Sequence, residues 1–179
     1  MDRSDLRYVL DSNYFLHFVC CLCADIKPAN VGFDQFGCLK LFDFGLAKEI
    51  PAGSDTYNDP KNAQPDDVWT PGAVGTMRYI SPEIFLKDPI DCKTDVYSTA
   101  ILLWEVLTLH KAYEDTVQGR YFTQCVAIYG ERPDIPKKWP RGLRKLMEDC
   151  WTGRVNSRCT SSEMRISLEK IVLQLQHSV

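Results

Sequence analysis

The chain has 179 residues, 45% of them hydrophobic, and is therefore long enough to bury the core of one compact domain. Its 21 basic and 24 acidic residues give a formal net charge of −3. This balance excludes a strongly basic surface of the kind that binds a nucleic-acid backbone, so we expect no nucleic-acid partner.

The longest apolar run near the N-terminus, residues 14–24, contains His17. It is shorter than the roughly 20 residues that a membrane-spanning helix needs. Acidic residues at positions 2, 5 and 11 stand where a signal peptide would carry a basic leader. We therefore expect neither a membrane span nor a secretion signal.

Cysteines are spread along the whole chain, at positions 20, 21, 23, 38, 92, 125, 150 and 159. Cys20 and Cys23 have the CxxC spacing of zinc ligands, but no second pair completes a zinc site. Dispersed cysteines of this kind are typical of a reducing compartment, so we expect a cytoplasmic location.

A β-hairpin is predicted early in the chain. Val31–Phe33 and Cys38–Phe42 have the composition of short strands, and residues 34–37, which end in glycine, suit the turn between them. Residues 51–75 follow, with repeated proline and glycine among Asp and Asn. They predict a long irregular loop, and loops of this length in a compact domain are usually functional.

Helices dominate the rest of the sequence. Residues 95–109 are apolar almost all round, which predicts a central helix buried on every side. Pro140 suits the first position of a second helix. The last helix is predicted over about residues 161–176, because Thr160-x-x-Glu163 forms a capping box just before its apolar face.

The residues with the clearest chemistry are Asp25-Ile-Lys-Pro-Ala-Asn30 and, thirteen residues later, Asp43-Phe44-Gly45. The hairpin between them folds the chain back, so Asn30 and Asp43 can converge on one point. Two oxygen-bearing side chains, one of them a carboxylate, suit Mg²⁺. Asp25 can accept a hydroxyl proton, and the ammonium of Lys27 can offset the charge of a transferred phosphoryl group.

These segments resemble the motifs of the eukaryotic protein kinases, in the order of that family. Residues 25–30 are similar to the catalytic loop, and residues 40–48 resemble the start of the activation segment. The other matching segments are Gly75-Thr76, Ser81-Pro82-Glu83, residues 95–98, Cys150-Trp151 and Arg158. The resemblance implies an α+β fold, the mainly helical C-terminal lobe of a kinase domain over residues 25–176, with a short β-hairpin at the catalytic loop.

The resemblance also implies roles for individual residues. The chain would be a serine/threonine kinase that uses ATP and Mg²⁺ and acts on a protein substrate, since Lys27 and Thr76 follow the serine/threonine pattern. Residues 104–108 resemble the tyrosine-kinase-like group. The implied roles are catalysis for Asp25 and Lys27, metal binding for Asn30 and Asp43, substrate binding for Gly75 and Thr76, and structural support for Glu83, Asp95 and Arg158.

The family pattern stops upstream of Asp25. Cys23-Ala24 replaces the usual His-Arg pair, and residues 1–24 cannot form the N-terminal lobe that holds ATP in the family. We interpret residues 1–24 as a segment that does not belong to the family. It is rich in Phe, Leu, Val and Cys, which are encoded by T-rich codons, and this favours a gene-model artefact in which upstream intron sequence has been translated. The 179-residue chain alone is expected to be inactive, and an inactive kinase-like scaffold is the alternative function.

Thr70 is the predicted phosphorylation site of the activation segment, residues 43–83. It precedes Pro71, which favours an extended backbone that a proline-directed kinase could bind. In the family an arginine receives such a phosphate, and Ala24 occupies that position here.

Overall fold

The computed structural model describes residues 21–49, 77–115 and 120–177. Within these ranges the protein is mainly helical, with two antiparallel sheets of two strands each. The mainly helical architecture with a short hairpin is as predicted. The predictions for residues 1–20, for the whole 51–75 loop with Thr70 and Gly75, and for Thr76 fall on residues outside the described ranges.

The predicted hairpin is present and slightly shorter than expected. Strands β2 (Val31–Phe33) and β3 (Leu39–Leu41) pair antiparallel, with Val31 opposite Leu41. The turn is fixed by Asp34, whose Oδ1 accepts the N–H groups of Phe36 and Cys38, both at 2.9 Å. Gly37 has a φ of +78°, a conformation that glycine adopts without strain, which explains the glycine at the end of this turn.

A second strand pair encloses this hairpin. Strand β1 (Cys21–Leu22) pairs antiparallel with β4 (Lys48–Glu49), with Leu22 opposite Lys48. Leu22 is fully buried in the main core. The sequence did not predict this pairing, which joins the segment before Asp25 to the segment after Asp43.

The central helix α2 spans Lys93–Thr108, close to the predicted range. Residues 96–104 are all buried, which confirms the predicted burial on every side over this stretch, but Val106 and Leu109 in the predicted range are 41% and 90% exposed. The helix ends one residue earlier than predicted because Leu109 adopts a left-handed backbone, with a φ of +59°.

Two C-terminal helices complete the core. Helix α4 (Arg141–Cys150) begins just after Pro140, one residue later than predicted. Its buried residues recur at the spacing of one helical face: Leu143, Leu146, Met147 and Cys150. Helix α5 spans Ser161–His177. The predicted capping box is formed, since the Glu163 N–H donates to Thr160 Oγ1 at 3.2 Å and the Thr160 N–H donates to Glu163 Oε2 at 2.8 Å.

Shorter helical segments connect these elements. A 3₁₀ turn (Met77–Tyr79) leads into α1 (Pro82–Leu86), and α3 (Arg120–Thr123) continues as a π-helical turn (Gln124–Ile128). Further 3₁₀ turns cover Pro28–Asn30 and Val155–Ser157. Of the helices in the described ranges, none has the length and apolarity to cross a membrane.

Candidate active site

Asp25, Lys27 and Asn30 form one bonded group in the loop between β1 and β2. Lys27 Nζ lies 2.6 Å from Asp25 Oδ2, and Asn30 Nδ2 donates to the same oxygen at 2.9 Å. Asn30 Nδ2 also donates to the backbone carbonyl of Asp25, again at 2.9 Å. The carboxylate of Asp25 is thereby held by two donors on one oxygen, in a side chain that is only 8% exposed.

The loop has this shape because of local sequence. Pro28 occupies the first position of the 3₁₀ turn Pro28–Asn30, where its missing N–H costs nothing. The Asn30 N–H donates to the Lys27 carbonyl at 3.0 Å and closes the turn. Asn30 is consequently buried, with its amide directed back at Asp25.

The hairpin brings Asp43 to the same end of the site. The Phe42 N–H donates to the Asn30 carbonyl at 2.8 Å, so Asp43 follows a residue that is hydrogen-bonded to Asn30. Asp43 has a φ of +58°, in the left-handed region, and its Oδ1 accepts the Gly45 N–H at 3.2 Å. A non-glycine residue in this conformation is uncommon and often marks a functional turn.

The donor atoms of this site fit a hard divalent cation. Both hydrogen bonds of the Asn30 side chain use its nitrogen, so its amide oxygen is the atom that a cation could take. Asp43 adds a carboxylate on an exposed residue. One amide oxygen and one carboxylate match Mg²⁺, which binds few protein ligands and completes its shell with water and phosphate oxygens.

Asp95, the third residue of α2, contacts the backbone just before Asp25. Its Oδ2 accepts the Cys23 N–H at 2.7 Å, and its Oδ1 accepts the Ala24 N–H at 2.9 Å. Ala24 has a φ of +64°, a strained conformation for alanine that these bonds help to hold. Burial raises the pKa of the Asp95 carboxyl to about 6, although the two backbone donors act to lower it.

This raised pKa predicts a pH-dependent contribution to stability. The contribution of Asp95 should be complete below pH 4 and should be lost as the pH rises through about 6, because the unfolded chain releases the proton first. We expect the stability of the wild type relative to Asp95→Asn to fall by on the order of 2–3 kcal/mol between pH 4 and pH 7.

The measurement is denaturant unfolding of both proteins at several pH values. Asp88→Asn changes an exposed aspartate and serves as the control. A difference between wild type and Asp95→Asn that stays constant across this pH range would contradict the prediction.

Glu83 and Arg158 form a buried ion pair. Arg158 Nη1 lies 2.7 Å from Glu83 Oε1, and Nη2 lies 2.9 Å from Oε2. The two side chains are 0% and 2% exposed. Burial by itself would raise the pKa of Glu83, but the hydrogen bonds and charge of Arg158 outweigh it and the pKa is lowered. The pair joins the start of α1 to the segment before α5.

A further polar contact was not predicted from the sequence. The Tyr79 hydroxyl donates to Glu105 Oε2 at 2.7 Å, and Glu105 Oε1 accepts the Ala112 N–H at 2.8 Å. Burial and the Glu105 carboxylate raise the pKa of Tyr79 above its usual range. The available signal was Glu105 itself, an acidic residue inside an otherwise apolar helix.

Comparison with known proteins matches residues 3–167 to the family described as the protein kinase domain. The matched range begins at residue 3, upstream of Asp25, which is the residue at which we expected the resemblance to the family to begin. The boundary at Asp25 stays a prediction.

Three relatives illustrate the similarity. The dual specificity protein kinase shkB of Dictyostelium discoideum is 33% identical over 166 residues, which cover 88% of this chain and 22% of the relative. The dual specificity protein kinase shkE of the same organism is 28% identical over 159 residues, covering 88% and 21%. Serine/threonine-protein kinase 12 of Arabidopsis thaliana is 29% identical over 154 residues, covering 86% and 31%.

The chain thus spans about a fifth to a third of the length of these relatives. The family match nevertheless covers nearly all of the chain itself, and it includes the bonded group around Asp25. On this basis the chain belongs to the protein kinase family.

Proposed function

We propose that this chain is the C-terminal lobe of a protein serine/threonine kinase, which transfers the γ-phosphate of ATP to a serine or threonine of a protein substrate. The observation that carries the proposal is the bonded group of Asp25, Lys27 and Asn30, with Asp43 held next to it by the hairpin. Phosphoryl transfer depends mainly on positioning and charge compensation, and this group can supply both.

Asp25 is the proposed proton acceptor for the substrate hydroxyl. Its Oδ2 accepts from Lys27 and Asn30, so Oδ1 is the oxygen proposed to accept the proton of the substrate hydroxyl. The ammonium of Lys27 offsets charge on the transferred group. Mg²⁺, when bound, neutralises the phosphates of ATP, and Asn30 and Asp43 are the residues proposed to hold it.

The residues around this group have proposed supporting roles. Asp95 fixes the backbone of Cys23 and Ala24 and thereby the position of Asp25. The Glu83–Arg158 pair anchors the end of the activation segment. Gly75 and Thr76, by resemblance, contact the protein substrate, and Thr70 is a candidate phosphorylation site.

Serine/threonine specificity is proposed because Lys27 follows the serine/threonine pattern of the family. The names of the relatives include both serine/threonine and dual specificity kinases. Phosphoamino-acid analysis of the reaction product separates these two specificities. Phosphotyrosine in the product would replace the proposed specificity with a dual one.

The polypeptide of residues 1–179 should have negligible kinase activity by itself. Residues 1–24 contain no glycine and so cannot supply a glycine-rich loop over the phosphates of ATP. Ala24 also replaces the arginine that receives an activating phosphate in the family. The substitution at position 24 favours the second candidate, a kinase-like scaffold without activity.

The test uses the protein expressed from its complete transcript. We expect it to bind a fluorescent ATP analogue in the presence of Mg²⁺, with binding lost on addition of EDTA, and to phosphorylate casein. Asp43→Asn removes the proposed metal carboxylate and should abolish the metal-dependent part of the binding. Asp88→Asn, which changes an exposed residue just after the end of α1, is the matched control.

Two outcomes would contradict the enzyme proposal. One is nucleotide binding that is the same with Mg²⁺ and with EDTA. The other is a well-folded product of the complete transcript that phosphorylates no acceptor at all, which would support the scaffold.

A further inference from the structure

Cys150 and Cys159 bring their sulfur atoms together beside the buried ion pair. Cys150 is the last residue of α4 and is buried, and Cys159 follows Arg158 just before α5. Their Sγ atoms are 2.9 Å apart. The backbone supports this approach, since the Cys159 N–H donates to the Asp149 carbonyl at 3.3 Å.

Little movement separates this thiol pair from a covalent bond. A disulfide has an S–S distance of about 2.05 Å, so the two sulfur atoms need to approach by only about 1 Å. The segment between them is already closed by local bonds. The Ser157 N–H donates to the Arg154 carbonyl, and the Arg158 N–H donates to the Val155 carbonyl, each at 3.0 Å.

The two thiols differ in access and in acidity. Cys159 is partly exposed, whereas Cys150 is buried, so a small oxidant reaches Cys159 first. A hydrogen bond with Cys150 lowers the pKa of the Cys159 thiol, and the same contact together with burial raises the pKa of Cys150. The thiolate is the reactive form, which gives Cys159 the role of the attacking group.

We propose that Cys150 and Cys159 are a site of reversible oxidation, which a peroxide converts to an intramolecular disulfide. The Cys159 thiolate attacks one oxygen of hydrogen peroxide, the O–O bond breaks, and hydroxide leaves, giving a sulfenic acid. The Cys150 sulfur then displaces the hydroxyl group of that sulfenic acid. The thiol proton leaves with it as water, two electrons have passed to the peroxide, and the S–S bond is formed.

The crosslink would fix the loop that holds Arg158. Thr152 lies inside the loop, and its carbonyl accepts from Arg158 Nε at 3.2 Å and from Nη2 at 3.0 Å. Arg158 in turn binds Glu83. Oxidation should therefore slow hydrogen exchange in residues 151–158. The proposal stands independently of kinase activity, because it rests on the two sulfur atoms and their surroundings.

The test treats the reduced full chain with one equivalent of hydrogen peroxide and digests it with trypsin under alkylating conditions. Cleavage places Cys150 in the peptide of residues 146–154 and Cys159 in that of residues 159–165. We expect these two peptides to be linked, the intact protein to lose about 2 Da, and two of its eight thiols to resist alkylation until dithiothreitol is added.

Cys159→Ser should abolish the linked peptide, and Cys38→Ser, which changes a cysteine of similar exposure in the hairpin, should leave it intact. The main readout is the linked peptide in wild-type protein, so a folding defect in Cys159→Ser would not affect it. Failure to find linked peptides 146–154 and 159–165 in oxidised, folded wild type would overturn the proposal. The proposal would also be overturned if the linked peptides formed to the same extent in protein unfolded by urea, because the fold would then not be required for the linkage.

Discussion

Replacing Arg158 with alanine should lower the free energy of unfolding by about 3–5 kcal/mol, because it leaves the carboxylate of Glu83 buried without its cation. Both side chains are almost completely buried, and the pair is bidentate, with distances of 2.7 and 2.9 Å. Arg158 also donates to the carbonyls of Lys93 and Thr152, which would lose these partners. The measurement is denaturant unfolding at neutral pH.

The chain provides a matched control for this variant. Arg165 pairs with Glu169 at 2.6 Å, a distance similar to that of the buried pair, but the two side chains are 43% and 42% exposed. Arg165→Ala should lower the free energy of unfolding by no more than about 0.5 kcal/mol, as is usual for exposed ion pairs one helical turn apart. Equal losses for Arg158→Ala and Arg165→Ala would show that burial does not determine the contribution of the pair.

Protonation of Glu83 gives this prediction a pH dependence. Since the pKa of Glu83 is lowered in the folded protein, the pair stabilises the fold above the unfolded pKa of a glutamate, and this contribution is lost as the pH falls through the folded value. The destabilisation by Arg158→Ala should accordingly shrink on acidification.

The sequence predicted the elements that depend on local patterns. Helix α2 was predicted because its apolar residues surround the helix, and helix α5 because Thr160 and Glu163 form a capping box. The β2–β3 hairpin followed from two short strands and a turn that ends in glycine. Each of these signals lies within a few residues of the element that it specifies.

Features that depend on distant residues could not be predicted in this way. Strands β1 and β4 are two residues long and far apart in sequence, so no periodicity identifies their pairing. The left-handed backbone of Ala24 is held by Asp95, more than 70 positions away, and alanine gives no sign of it. Cys150 and Cys159 meet only because the loop between them folds back.

The candidate site combines both kinds of information. Asp25, Lys27, Asn30 and Asp43 were identified from their types and spacing. The structure supplies the bonds among the first three, and it places Asp43 directly after Phe42, whose N–H donates to the Asn30 carbonyl. Their catalytic and metal-binding roles stay predictions. The sequence alone could not show that Lys27 and Asn30 donate to the same oxygen of Asp25. This detail determines the expected effect of replacing Asp25.

Asp25→Asn should reduce the turnover of the protein expressed from its complete transcript by about 10²–10⁴, the usual contribution of a positioned general base. In the structure Lys27 and Asn30 both donate to Oδ2 of Asp25. An asparagine at this position would direct its single oxygen toward these two donors. Its NH₂ group would then face the substrate hydroxyl and could not accept the proton.

The decisive readout is the split between turnover and nucleotide affinity. Because Asn30 and Asp43 are unchanged in Asp25→Asn, metal-dependent binding of the ATP analogue should persist while casein phosphorylation at saturating ATP is lost. Asp88→Asn removes the same charge at an exposed position and should retain full turnover. Turnover of Asp25→Asn within about twofold of the wild type would remove Asp25 from the proton-transfer step. A parallel loss of nucleotide binding would instead assign Asp25 to holding the loop, since its Oδ2 and carbonyl are the acceptors that orient Asn30.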